Sequence, residues 1–181
     1  AQLGGRVDVL VANAGIGGPN ACSQDGPDRW HEILRTNLDG VFYSAREALR
    51  FMPDGGRIVT ISSVLGKFGV PGYTAYCASK HGVIGFTKAL ALEVAPRHIT
   101  VNAVCPAYVR TPLVDSQIAD QAKANRMSAD EVIEKIMLAP AAVKRLIEPA
   151  EVAGLVAYLC SDAAGTITGS ALTMDLGWTA R

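Results

Sequence analysis

No stretch of this chain holds the roughly 18 consecutive apolar residues of a membrane-spanning helix, so no membrane span is expected. Net charge is missing as well, because 17 Lys and Arg offset 17 Asp and Glu. That balance argues against nucleic acid or an anionic membrane as the main partner. Cysteine is scarce and shows no pairing pattern. Cys22, Cys77, Cys105 and Cys160 form no Cys-x-x-Cys pair, and no Cys/His cluster has zinc spacing. Buried free thiols in a reducing cytoplasm are the expectation. His31, His81 and His98 have no spacing that suggests a metal or a triad, and ordinary structural roles are expected. The chain does not open on a basic segment followed by an apolar one, so no secretory leader is expected. Repeats, linkers and low-complexity segments are absent too, which leaves one domain over residues 1–181.

What is present suits a globular protein, with 49% hydrophobic and 19% charged residues. Residues 7–12 are an apolar run ending at Asn13, Ala14 and Gly15, a pattern that reads as a buried parallel strand and a loop. Residues 17–28, rich in Gly, Pro, Asn, Ser and Asp, continue the loop. Apolar residues at 30, 33, 34, 38, 41, 42, 45 and 49 have helical spacing, closed by Pro53 and Gly55. Residues 57–62 read as a second strand and 66–72 as a loop. Residues 76–95 read as a long helix with a wide face of small and apolar side chains. Residues 99–105 read as a third strand, stopped by Pro106. Two helical pieces follow within 113–148, the second opened by a capping box from Ser128 to Glu131. Pro149 starts another helix, running to about residue 161, and 171–175 form a last strand.

Strands alternating with helices imply right-handed crossovers and a doubly wound parallel α/β sheet. Such sheets bind ligands beyond the carboxyl ends of their strands. Residues 13–15, 62–63 and 106–111 each follow a strand. Tyr76 and Lys80 lie four apart and share a helix face. A free phenol, with a pKa of about 10, is a poor base at neutral pH, and a neighbouring cation favours its phenolate. Ser63, at the end of the preceding strand, can hold a substrate oxygen while Tyr76 transfers a proton. Asn37 sits inside the first long helix, where a carboxamide is unfavourable, which hints at a further role. Each signal alone has a bland reading: a solvated lysine beside an amphipathic tyrosine, a simple turn at residues 13–15, a helix kink at Asn37. Their order along the chain gives them weight.

Taken together, Asn13 to Gly15, Asn37, Ser63, Tyr76 with Lys80, and the run from Val101 to Pro106 followed by Thr111 resemble the short-chain dehydrogenases/reductases. The resemblance covers essentially the whole chain. It implies a Rossmann-type fold and hydride transfer between a nicotinamide, NAD or NADP, and a secondary alcohol or ketone. It implies that Tyr76 is the acid/base, that Ser63 positions the substrate oxygen, and that Lys80 binds the nicotinamide ribose and lowers the pKa of Tyr76. Asn37 would hold a water in the proton relay. Asn13, Ala14 and Gly15 would line the adenosine side of the cofactor. Pro106, Ala107, Val109 and Thr111 would meet the nicotinamide.

Residues 111–122, 159–164, 167–169 and 177–180 resemble bacterial D-3-hydroxybutyrate dehydrogenases in particular, which favours NAD. In that subfamily two glutamines, a histidine and a lysine hold a small carboxylate. Here Gln117 matches one glutamine, and Gly17, Leu65 and Tyr73 stand at the other positions. A buried carboxylate needs donors or a cation, so a larger or less charged hydroxy or keto substrate is expected, contacted by Ser63, Leu65, Tyr73 and Gln117. Two further departures place Ala107 and Leu176 where the family has glycine.

The family's glycine-rich phosphate loop is not seen; Gly15, Gly17 and Gly18 precede a loop and not a helix. An N-terminally incomplete fold, drawn from a longer natural protein, is therefore expected, with residues 7–12 left as an apolar edge. Residues 113–148 are expected to form a substrate lid, and the family resemblance implies a homotetramer. Arg110, Arg126 and Arg145 are expected on solvated faces. The rival reading is a catalytically incompetent paralogue that acts as a scaffold.

Overall fold

A computed structural model describes residues 4–23, 26 and 28–180. Four strands, β1 (Val9–Ala12), β2 (Arg57–Ile61), β3 (Thr100–Pro106) and β4 (Ala171–Met174), form one parallel sheet in the order β1-β2-β3-β4. Their β-branched content suits a pleated surface, and β3 is buried along its whole length, as a central parallel strand covered on both faces must be.

Alternate side chains serve opposite faces. Ile58 and Val101 pack with Ala45, Ala48, Leu90 and Val94 on one face. Val59 and Val104 pack with Leu159 and Ala164 on the other. The first face is covered by α2 (Gly40–Leu49) and α3 (Thr74–Val94), and the second by α6 (Pro149–Cys160). Fully burying a side chain such as Ile58 or Val101 contributes about 1.5–3 kcal/mol. Between β3 and α6 lie α4 (Pro112–Asn125) and α5 (Ala129–Val132), which share a small core of Val114, Ile118, Val132 and Met137. The capping box is present: Glu131 N donates to Ser128 Oγ at 3.2 Å and Ser128 N to the Glu131 carboxylate at 3.1 Å.

Several boundaries differ from expectation for local reasons. The helix read over 30–49 is broken into α1 (Trp30–Leu34), a π-helical stretch Arg35–Asp39 and α2. Helix α3 starts at Thr74, before Tyr76. Strand β3 keeps Pro106 as its last residue, where a missing N–H is harmless because pairing continues from Ala107 N to Met174 O at 2.9 Å. All four cysteines are free, but Cys22 is exposed and Cys160 only partly buried, against the expectation of buried thiols. Strand β1 is the sheet edge, and on the α6 face its Val9 and Val11 remain 43% and 41% exposed. Among the described residues no helix is long and apolar enough to cross a membrane, and no cluster of His, Cys, Asp and Glu could hold a metal.

Candidate active site

A cleft of about 950 Å³ runs along the carboxyl ends of the strands and down the exposed α6 face of β1. It is lined by Asn13, Gly15, Ser63, Leu65, Tyr73, Tyr76, Lys80, Pro106, Ala107, Val109, Thr111 and Gln117. Two expected residues are placed otherwise. Ala14 is exposed and lies outside the cleft lining, so it does not contribute to this wall. Asn37 is completely buried behind the cleft.

Ser63, two residues beyond β2 and in extended backbone, caps the short turn Val64–Gly66. Its Oγ accepts from Leu65 N at 3.2 Å and donates to Pro106 O at 3.4 Å. That turn passes close to α3, and only a glycine fits at position 66. A Cβ there would lie 2.7 Å from Lys80 O and 2.6 Å from Ser62 Oγ. The Ser62 hydroxyl donates to Lys80 O at 2.9 Å and ties the strand end to the helix. The crowding brings Ser63 near Tyr76, close enough for the serine hydroxyl to favour ionisation of the phenol. Ser62 was marked in the sequence only by its place after a strand, and Gly66 only as a loop residue. A loop glycine next to Ser63 is the one signal that could have marked them.

The Lys80 ammonium lies 5.6 Å from the Tyr76 ring centroid and donates to Ile61 O at 2.9 Å. The family resemblance implied a phenol made more acidic by this lysine, and the protein's own field acts the other way. Burial raises the Tyr76 pKa above its ordinary value; the Ser63 hydrogen bond lowers it in part, and Cys77 adds a small upward push. Lys80 itself is driven down to about 8 by burial. Two low-dielectric neighbours both resist charge here, so an acidic Tyr76 needs a further positive group beside it.

That depressed lysine has a stability consequence. Below pH 8 Lys80 is charged in both folded and unfolded chains, and the full penalty of burying the ammonium is present. Between about pH 8 and 10.5 the folded chain has released the proton while the unfolded chain still binds it, so the Lys80 contribution rises with pH. Lys80→Met is expected to remove this rise, about 3 kcal/mol across the window. Urea midpoints of parent and variant at pH 7.5 and 9.5 check it; parallel pH dependences would contradict it.

Asn37 holds the loop after β1. Its Oδ1 accepts from Ile16 N at 2.8 Å, and its Nδ2 donates to Ile16 O at 2.9 Å and to Ser79 Oγ at 3.1 Å. The Ser79 hydroxyl in turn donates to Tyr76 O at 2.8 Å. The side chain is therefore committed to backbone and Ser79, which accounts for a carboxamide inside a helix and for the π-helical stretch around it. Gly15 completes the corner: a Cβ there would sit 3.4 Å from Asn37 Oδ1 and 3.5 Å from Lys80 Nζ.

Across the mouth, Gln117 on α4 faces the loop after β1, its Nε2 lying 3.5 Å from where a Gly17 Cβ would be. Tyr108 stacks on Trp178, with centroids 5.7 Å apart at 21°, and Phe68 packs on Trp178 at 5.4 Å. Burial raises the Tyr108 pKa, and the nearby Tyr73 and Tyr76 add to it, so three phenols share this mouth. Tyr108 and Trp178 had not been singled out from the sequence.

Comparison with known proteins fits this geometry. The profile of the family described as enoyl-(acyl carrier protein) reductase matches residues 1–179. D-beta-hydroxybutyrate dehydrogenase of Rhizobium meliloti is 41% identical over 98% of this chain and 69% of its own length. The chain belongs to the short-chain dehydrogenase/reductase family, a family of oxidoreductases. Among solved structures, a variant of actinorhodin polyketide ketoreductase with NADPH superposes with a TM-score of 0.89 at 42% identity, covering 98% of this chain and 69% of that one. A short chain dehydrogenase family protein from Francisella tularensis gives a TM-score of 0.92 at 30% identity, covering 97% and 72%. The fold is accordingly the Rossmann-like α/β fold of the short-chain dehydrogenases/reductases. The chain spans 66–70% of the length of the first curated relatives it matches.

Proposed function

We propose that this short-chain dehydrogenase/reductase interconverts a secondary alcohol and a ketone of the hydroxyacyl/ketoacyl type with NAD or NADP. The observation that carries the reading is the convergence of Ser63, Tyr76 and Lys80 on one cleft at the carboxyl ends of β2 and β3. The intact set also speaks against an incompetent scaffold. The cofactor's redox centre supplies or accepts the hydride. Lys80 and Tyr76 would hold its ribose, the open corner at Gly15 and Asn13 would leave room beside them, and Pro106, Ala107, Val109 and Thr111 would face the nicotinamide. These residues fit such a group: they offer one ammonium, hydroxyls and backbone around a cleft of about 950 Å³, with no side chain at Gly15 to crowd Lys80.

In the reducing direction Ser63 Oγ donates to the ketone oxygen and Tyr76 Oη delivers a proton to it. The Lys80 ammonium stabilises the phenolate left behind. In the oxidising direction the same phenolate takes the hydroxyl proton. Asn37 keeps the loop and α3 in register throughout. Residues 113–148 act as a lid that moves over the substrate on its own small core. NAD is favoured by the likeness to hydroxybutyrate dehydrogenases. Exposed Phe42, Tyr43 and Leu92 on α2 and α3 support a homo-oligomer, a tetramer by family likeness. Free cysteines suit a cytoplasmic setting.

The test is a panel of 3-oxo esters, 3-oxo acids and simple ketones assayed with NADH and NADPH by loss of reduced-cofactor absorbance. Turnover of at least one ketone with one cofactor is expected; none across the panel would refute the catalytic reading.

A further inference from the structure

The mouth of the cleft is neutral. Among the described residues lining it, Lys80 alone carries a full charge near neutral pH, and its amine is held on Ile61 O beside Tyr76, at the reacting end. The other cations of the region are engaged elsewhere. Arg29 pairs with Glu32 at 2.8 Å, Arg110 with Glu148 at 3.3 Å, and Lys67 bonds Ala171 O at 2.8 Å. Asp120, in the adjoining side pocket, acts on Tyr73 against a second negative charge there. A substrate carboxylate entering at the mouth would lose its hydration and meet no cation there.

The same wall is rich in rigid apolar surface. Trp178 is set by a tight turn after β4, in which the Asp175 carboxylate accepts from Gly177 N at 3.1 Å and from Thr179 N at 2.7 Å. The turn requires a left-handed backbone at Leu176 (φ 55°) and Gly177 (φ 83°). Leu176 O also accepts from Ala142 N at 2.9 Å and Val143 N at 3.0 Å, so the turn is anchored to the segment after α5. Held in this way, Trp178 and the Tyr108 stacked on it form a fixed aromatic wall beside Tyr73 and Leu65.

We infer that this site selects uncharged ketones or alcohols bearing an aryl or comparably bulky apolar group, and rejects free 3-oxo and 3-hydroxy acids, with Tyr108 and Trp178 as specificity-determining residues. The inference rests on the proposed oxidoreductase reading and narrows its substrate class.

Binding is measured by calorimetry for three probes that separate charge from bulk: acetoacetate, ethyl acetoacetate and ethyl 3-oxo-3-phenylpropanoate. The phenyl ester is expected to bind at least about tenfold more tightly than ethyl acetoacetate, and acetoacetate about tenfold or more weaker than its own ester. Trp178→Ala is expected to erase the phenyl advantage, with Tyr108→Ala as a second variant should the first melt early. Leu65→Lys, which places a cation on the mouth, is expected to raise acetoacetate affinity about tenfold. Acetoacetate binding as tightly as its ester, or a phenyl group that adds nothing, would overturn the inference. Turnover with NADH or NADPH is followed in parallel. The expected binding order without turnover would leave the selectivity standing and remove the catalytic reading; turnover with acetoacetate preferred would do the reverse.

Discussion

Tyr76→Phe is expected to lower kcat/KM by about a thousandfold or more while leaving the fold intact. The change deletes one oxygen. Removing a positioned general acid typically loses 10²–10⁴ in rate, and the lost hydroxyl is the one that lies beside Ser63 in the cleft. The structural effect is small, about 1 kcal/mol at most, because the ring keeps its packing and only a hydroxyl is lost. Steady-state kinetics with the best ketone of the panel, set beside thermal melts of parent and variant, measures both effects. A variant within tenfold of the parent would remove Tyr76 from the mechanism. An inactive variant that also melts far below the parent would leave its role structural.

Asn37→Ala is expected to destabilise the protein by about 3 kcal/mol and to depress activity with it. Three hydrogen bonds vanish together, and the groups left behind are Ile16 N–H, Ile16 C=O and the Ser79 hydroxyl. Each polar group stranded in a partly buried place costs about 1–3 kcal/mol, reduced where water can enter. The damage should be local before it is global, because the freed loop is the one carrying Asn13 and Gly15 to the cleft. Denaturant midpoints give the stability loss, and hydrogen exchange at the Ile16 amide gives the local one. An Ile16 amide as protected in the variant as in the parent would refute the clamp.

Much of the architecture was legible because its causes are local. Residues 57–61 and 100–106 are β-branched and apolar, Pro149 and Ser128 mark helix starts, and the alternation of strand and helix leaves a parallel sheet as the workable packing. The candidate catalytic set was legible for a related reason: Tyr76 and Lys80 are joined by one helical turn, and Ser63 by a short connection. The interruption at Arg35–Asp39 was not legible. It arises from Asn37 bonding across 21 residues to Ile16, a partner that helical periodicity cannot reveal. Gly66 looked like any loop glycine until α3 was packed against it. Ala14, adjacent in sequence to two cleft residues, turned outward because neighbouring residues of an extended loop point to different sides.

The sequence by itself determined the main elements, their parallel pairing and the candidate reacting groups, since these follow from periodicity, punctuation and short spacings. Only the tertiary structure decided the electrostatics. It showed a buried phenol pushed up and a buried lysine pushed down to about 8. It also showed an aromatic wall assembled from Tyr108 and Trp178, 70 residues apart in the chain. Desolvation and long-range stacking depend on what surrounds a group in space, and distant segments supply those surroundings.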